Sequence, residues 1–218
     1  MNTVGHPSPR RLWDISPAVS PGSPVFPGDT PFQHRWTWTL GDGCPVNVSA
    51  ITLSPHVGAH ADAPLHYQAG AAAIGQVDLD PYLGLCRVIH APPTDSPLVH
   101  WEDIEPACAG VPARVLVRTT SRAAVDHWDP HFKSLSPDVL QALADRGVKL
   151  VGVDTASIDP ADSKTLSSHQ VLRQRDLRVL ENLVLDDVPA GDYELIALPL
   201  RWLLADASPV RAVLRELA

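Results

Sequence analysis

Three cysteines are all that this 218-residue chain contains, and Cys44, Cys86 and Cys108 lie far apart. An odd number at such spacing implies neither a disulfide framework nor a zinc finger, and the three read as packed thiols. Basic residues are also short: 17 Lys and Arg face 25 Asp and Glu, for a formal charge of −8. No basic run or patch is present, which argues against a nucleic-acid partner. Apolar runs are strand-length, well under the roughly 20 residues that a bilayer span requires, so no membrane partner is expected. Met1 to Arg11 lacks the apolar stretch of a signal peptide. The expectation is a soluble, acidic, cytoplasmic protein.

Internal repeats, low-complexity tracts and flexible linkers are absent too, which predicts a single domain over residues 1–218. What is present is globular in composition, 44% hydrophobic and 19% charged, rather than disordered. Twenty-two prolines send much of the chain through ordered turns. Only five of the 25 acidic residues are glutamate, so a glutamate inside an apolar run carries unusual weight.

The pattern along the chain predicts a mixed-sheet α/β fold. Leu12–Ile15 opens a sheet and a proline-punctuated loop covers Ser16–Pro31. Phe32–Leu40 and Val46–Leu53 alternate polar and apolar residues around Gly41-Asp42-Gly43, the mark of a β-hairpin. Cys86–His90 and Arg114–Arg118 read as buried strands. Ser136-Pro137-Asp138 starts a helix with Ser136 as N-cap, and Val139, Leu140, Leu143 and Ala144 share its apolar face until Gly147 ends it. Val148–Val153 is a strand ending in Asp154. Thr165–Arg175 has weaker helical periodicity, and Val179–Leu185 and Tyr193–Pro199 read as strands.

The chemistry is concentrated in Ser54–Tyr67. His56, His60, Asp62 and His66 fall within eleven residues, spaced H-x3-H-x-D-x3-H. Pro55, Gly58 and Pro64 argue against a helix, so the segment reads as a rigid loop leaving a strand end. Imidazole and carboxylate suit Zn²⁺, and also Mn²⁺ or Fe²⁺, and three ligands with an open position is the pattern of a catalytic site. The competing reading is a chance gathering of surface histidines, which four candidate ligands in one small-residue loop make much the weaker. Outside this loop the bland readings do better. His169 alone reads as a surface or capping residue, and Glu181, in Val179–Val184, is as easily an outward-facing strand residue as a ligand. His127-Trp128-Asp129-Pro130-His131 suits a lid or pocket wall. Asp154 stands at a strand end where α/β proteins place functional groups, though fixing loop geometry is the favoured reading, and Trp36 and Trp38 are core, dimer interface or pocket.

His56-Val-Gly-Ala-His60-Ala-Asp62-Ala-Pro-Leu-His66 resembles the HxGTHxDxPxH signature of the metal-dependent cyclase-like hydrolases, with Ala59 where many members carry Thr. The likeness runs over nearly the whole chain, through Leu12–Ser16, Val25–Thr30, Gly152–Ser157 and Ser168-His169, and it is strongest to the formamidase branch. It implies an α/β domain of the swivelling β/α type, its mixed sheet closing toward a barrel with flanking helices. It implies two Zn²⁺ per subunit, with Mn²⁺ as the alternative ion, held by His56, His60, Asp62, His169 and Glu181. His66 would then be the general acid/base, Phe26 would pack on the substrate with Trp128 beside it, and the protein would be a homodimer.

The reaction so implied is hydrolysis of N-formyl-L-kynurenine to L-kynurenine and formate, a step of tryptophan degradation, through a metal-bound hydroxide. Five protein ligands for two metals leave positions that bridging carboxylates and a hydroxide would fill. No G-x-S-x-G elbow is present, so a serine hydrolase mechanism is not expected. Two other readings share the ligand loop: a Mn²⁺-dependent lactam hydrolase of the isatin-hydrolase type, and a non-catalytic metal-binding member of the fold.

Overall fold

A computed structural model describes residues 10–218; most of the stretch read for a signal peptide lies outside the described residues. The chain runs through β1 (Leu12–Asp14), β2 (Gln33–Trp38), β3 (Val48–Thr52) and β4 (His60–Asp62). One helical turn, α1 (Pro64–Tyr67), leads to β5 (Leu83–His90), β6 (Leu98–Val99), α2 (Trp101–Ile104), β7 (Arg114–Arg118) and β8 (Ser134–Leu135). Then come α3 (Pro137–Asp145), β9 (Leu150–Val153), α4 (Ser167–Arg175) and β10 (Arg178–Glu181). β11 (Gly191–Ile196), β12 (Ala207–Pro209) and β13 (Val213–Arg215) complete it.

Nine of these strands form one curled mixed sheet in the order β1-β13-β11-β5-β7-β9-β10-β4-β12. The central four, β5, β7, β9 and β10, run parallel, and antiparallel strands flank them on both sides. This is the α/β class expected, an open half-barrel rather than a closed one. Strand periodicity explains its two apolar layers. In β7, Val115 and Val117 face the helices while Leu116 faces the inner side with Leu150, Leu180 and Ala61. Gly152 has no room for a side chain on that inner side: a Cβ would lie 2.4 Å from Leu116 Cδ2 and 2.9 Å from Leu183 Cδ1.

Helix α3 forms where expected and buries Val139, Leu140 and Leu143, each removal from water stabilising by about 1.5–3 kcal/mol. Its cap differs from the expectation. Ser136 occupies the N-cap position, but its hydroxyl bonds the Asp138 carboxylate rather than a backbone N–H of the first turn. Strand β10 is shorter than the predicted Val179–Leu185 because Asn182 turns the chain at φ +56°. The β2–β3 hairpin exists, yet its strands are exposed along most of their length, so the alternation there does not mark a core face. Trp36 and Trp38 are 55% and 58% exposed, which excludes the core reading for both. No helix among the described residues is long and apolar enough to cross a membrane.

Candidate metal centre

The predicted ligand segment is not one loop. Its middle is strand β4, wedged between β10 and β12. Because side chains alternate, His60 and Asp62 share one face while Ala61 enters the inner apolar layer. The register sets His60 opposite Glu181 and Asp62 opposite Val179. Glu181, only 4% exposed, is the last residue of β10 and points to the same side as Val179, which packs in the helix-facing layer with residues of α4. That helix supplies His169, 2% exposed. Gly58, at φ +70°, turns the chain so that His56 comes within 4.8 Å of the His60 ring; a Cβ there would lie 2.6 Å from Val19. Pro64 then begins α1, a position that tolerates its missing N–H, and His66 stands on that single turn.

Each of the three imidazoles has one nitrogen committed to an acceptor. His60 Nδ1 donates to the Gly58 carbonyl at 2.9 Å, His169 Nδ1 to Asp159 at 2.7 Å, and His56 Nε2 to Asp206 at 3.0 Å. The opposite nitrogens converge on the carboxylates. His56 Nδ1 and His60 Nε2 lie 3.2 and 3.4 Å from Asp62 Oδ1, and His169 Nε2 lies 3.5 Å from Asp62 Oδ2. His60 Nε2 is 3.3 Å from Glu181 Oε2. His60 Nε2, His169 Nε2 and both Asp62 oxygens are buried and have no hydrogen-bond partner among the described residues.

With neutral imidazoles, nitrogen lone pairs would face carboxylate lone pairs in a dry site. Such orphaned buried groups are costly, and a positive charge between them removes the cost. The same demand acts on protonation. Burial pushes His60 and His169 down, but the nearby carboxylates of Asp62 and Glu181 at His60, and of Asp159 and Asp62 at His169, outweigh it and raise each to about 10. Burial would raise Asp62, yet its contacts with His169, His56 and His60 hold it well below the usual carboxylate range. The position calls for cations, either protons or a metal ion, and the donor set suits a divalent ion such as zinc. Two trios of potential ligand atoms share Asp62: His60-Asp62-Glu181 and His56-Asp62-His66.

All six predicted centre residues therefore come together, and Glu181 and His169 lose their surface readings. Above them opens a cavity of about 610 Å³ reached by Phe26, Trp128, Thr119, Asp154 and Leu166. Phe26 and Trp128 make an edge contact, ring centres 5.1 Å apart. The His127–His131 segment forms part of this wall, as expected. Asp154 accepts hydrogen bonds from Thr119 N and Oγ1 and from Thr120 N, which fixes the loop beside the cavity. Ala59 packs in the inner apolar layer, and its carbonyl accepts from Val210 N at 2.9 Å. Sequence reasoning missed Asp159 and Asp206, the carboxylates behind the histidines. Asp159 lies ten residues before His169 and also accepts from the Ser168 and His169 backbone N–H groups. Burial would raise Asp159, but His169 and these N–H groups keep it low.

A half-barrel sheet carrying a buried histidine–carboxylate centre between β4, β10 and α4 has the make-up of a metal-dependent hydrolase. The Putative cyclase family model matches residues 13–160. A solved structure described as a potential metal-dependent hydrolase with cyclase activity is 25% identical, with a TM-score of 0.82, over 96% of this chain and 99% of that one. Isatin hydrolase A from Labrenzia aggregata shares the fold at TM-score 0.79 and 22% identity, over 94% and 93% of the two chains. The chain belongs to this cyclase family and, within it, to the kynurenine formamidases. The Delftia acidovorans kynurenine formamidase is 68% identical over 96% of this chain and 99% of its own, and the Bordetella pertussis enzyme 64% over 96% and 100%.

Proposed function

We propose that the protein hydrolyses N-formyl-L-kynurenine to L-kynurenine and formate, using two zinc ions held by His56, His60, Asp62, His169 and Glu181. The observation that carries this reading is the convergence of unpartnered His60, His169 and Asp62 atoms at the foot of an aromatic-walled cavity. The relatives named kynurenine formamidase support the substrate. Asp62, whose Oδ1 faces His56 and His60 while its Oδ2 faces His169, supports a paired metal site rather than a single one. The isatin-hydrolase alternative has less support, since its likeness at 22% identity reaches only the fold.

Bound zinc supplies an activated water and positive charge for the developing oxyanion. The remaining work falls to the chain. Phe26 and Trp128 hold the aryl ring so that its formamide reaches the centre. His66 takes a proton from water as its oxygen bonds to the formyl carbon, then passes that proton to the aniline nitrogen as the carbon–nitrogen bond breaks. His66 suits this task because its ring lies 4.5 Å from that of His56 and 5.9 Å from that of His169 while remaining one-third exposed toward the cavity. The exposed β2–β3 hairpin, with Trp36 and Trp38, supports a homodimer.

A His66→Ala variant tests the assignment. It keeps its zinc and loses most turnover of N-formyl-L-kynurenine. Full turnover would remove His66 from the mechanism, and loss of zinc would make it a ligand of the His56-Asp62 trio.

A further inference from the structure

We propose that Asp206 is the positioning residue for His66, fixing both the direction of its ring and the nitrogen that carries its proton. This inference rests on the reading of His66 as proton donor.

Asp206 is itself firmly placed. It directly precedes β12, whose Ala207 is registered opposite Asp62. Its carbonyl accepts from Ala63 N at 2.8 Å, and the neighbouring Ala205 carbonyl accepts from Ile74 N at 3.0 Å. The Ala205-Asp206 pair is thus bonded to the backbone on both sides of α1. Upstream, Gly75 donates to the Trp202 carbonyl, and a Cβ on Gly75 would lie 2.7 Å from that peptide. The segment leading into Asp206 is held at a separation that only glycine permits.

His66, in contrast, has little else to hold it. Helix α1 is a single turn with no buried residue, and the His66 side chain is 33% exposed. The rings of His56 and His169 beside it, with centres 4.5 and 5.9 Å away, do not select which of its nitrogens carries the proton. Its one hydrogen bond to the protein among the described residues runs from Nδ1 to Asp206 Oδ2 at 3.0 Å. The acceptor is a carboxylate, so Nδ1 must carry a proton. Nε2 is then left as the nitrogen that exchanges a proton with substrate. The same Oδ2 accepts from His56 Nε2 at 3.0 Å. One oxygen therefore ties the ring that moves the proton to a ring of the metal site, and their mutual placement follows from a single atom. A carboxylate behind an imidazole is a common device for fixing tautomer and orientation, and its loss typically costs about 10–100-fold in metal affinity or activity.

The test uses the zinc-loaded protein with Asp206→Ala, Asp206→Asn, His66→Ala and the His66→Ala/Asp206→Ala double variant. Steady-state turnover of N-formyl-L-kynurenine, zinc content after gel filtration and ¹⁵N NMR of the His66 ring are measured on each. Assayed at saturating zinc, which offsets any affinity lost through His56, Asp206→Ala is expected to lower kcat by about 10–100-fold with KM changed less than about twofold. Asp206→Asn keeps an acceptor oxygen and recovers most of that loss. In the His66→Ala background, removing Asp206 costs less than about twofold, because the group it positions is gone. The His66 ring shows a protonated Nδ1 in the parent and a mixture of tautomers in Asp206→Ala.

An equal loss in both backgrounds at saturating zinc would assign Asp206 to the metal site through His56 instead. An unchanged His66 tautomer in Asp206→Ala would overturn the proposal even if the protein does not turn over this substrate. Full activity in His66→Ala would instead overturn the parent reading of His66.

Discussion

Protons and metal should compete for the nitrogens of His60 and His169, and the competition can be worked from the structure. In the metal-free protein both rings have pKa values raised to about 10, because burial is outweighed by the carboxylates of Asp62 and Glu181 beside His60 and of Asp159 and Asp62 beside His169. Zinc requires the lone pairs of both Nε2 atoms, so at pH 7 each site must release a proton roughly three units below its pKa. At 1.36 kcal/mol per unit, that costs about 4 kcal/mol per histidine. Two such protons make the apparent zinc association constant rise about 100-fold per pH unit between pH 6 and 8. Calorimetry in buffers of different ionisation enthalpy would count the protons directly, and at least two per protein are expected, since His56, raised against burial by Asp62, adds to those of His60 and His169. A pH-independent affinity with no proton release would refute the electrostatic account of the centre.

The same shifts predict stability. A histidine whose pKa is raised on folding stabilises the metal-free protein fully below its unfolded value near 6.5. That contribution fades as pH climbs through about 10. Metal-free protein should therefore melt lower at pH 10 than at pH 7, a trend that a thermal scan checks and that bound zinc should suppress.

Other perturbations isolate single features. Asp159→Ala removes the acceptor behind His169 and the acceptor for two N–H groups at the start of α4, so zinc affinity should fall about 10–100-fold in a competition titration. Gly152→Ala forces a methyl against Leu116 and Leu183 and should cost about 1–3 kcal/mol in urea unfolding without altering the zinc stoichiometry. Phe26→Ala opens the aromatic wall beside Trp128 and should raise KM for N-formyl-L-kynurenine more than it lowers kcat, as steady-state kinetics would show.

The legible parts of this molecule are those written locally. His56, His60, Asp62 and His66 lie close in sequence, so their spacing alone pointed to a metal, and the periodicity of Val139, Leu140 and Leu143 pointed to α3. His169 carries no local signal, and Glu181 only the oddity of a glutamate in an apolar run. Their places beside His60 and Asp62 depend on α4 and on β4 pairing with β10 across more than a hundred residues, and only the family resemblance singled them out as ligands. The end of β10 was hidden because Leu183 and Val184 continue the apolar run past Asn182, whose left-handed backbone breaks the strand. Asp159 and Asp206 were invisible among twenty aspartates, since a carboxylate that orients a histidine is defined by tertiary distance and not by spacing. In β2 and β3 the period-two pattern marked strands correctly, but with no core beside them it could not mark a buried face.

The central claim is that the His56-His60-Asp62-His169-Glu181 centre carries metal-dependent hydrolysis of N-formyl-L-kynurenine. The measurement that tests it most directly is turnover of this substrate by protein stripped with chelator, before and after zinc is restored. The account predicts activity that disappears on stripping and returns in proportion to zinc bound. Full turnover by metal-free protein would contradict it, and zinc-loaded protein inert toward the substrate would contradict the choice of substrate.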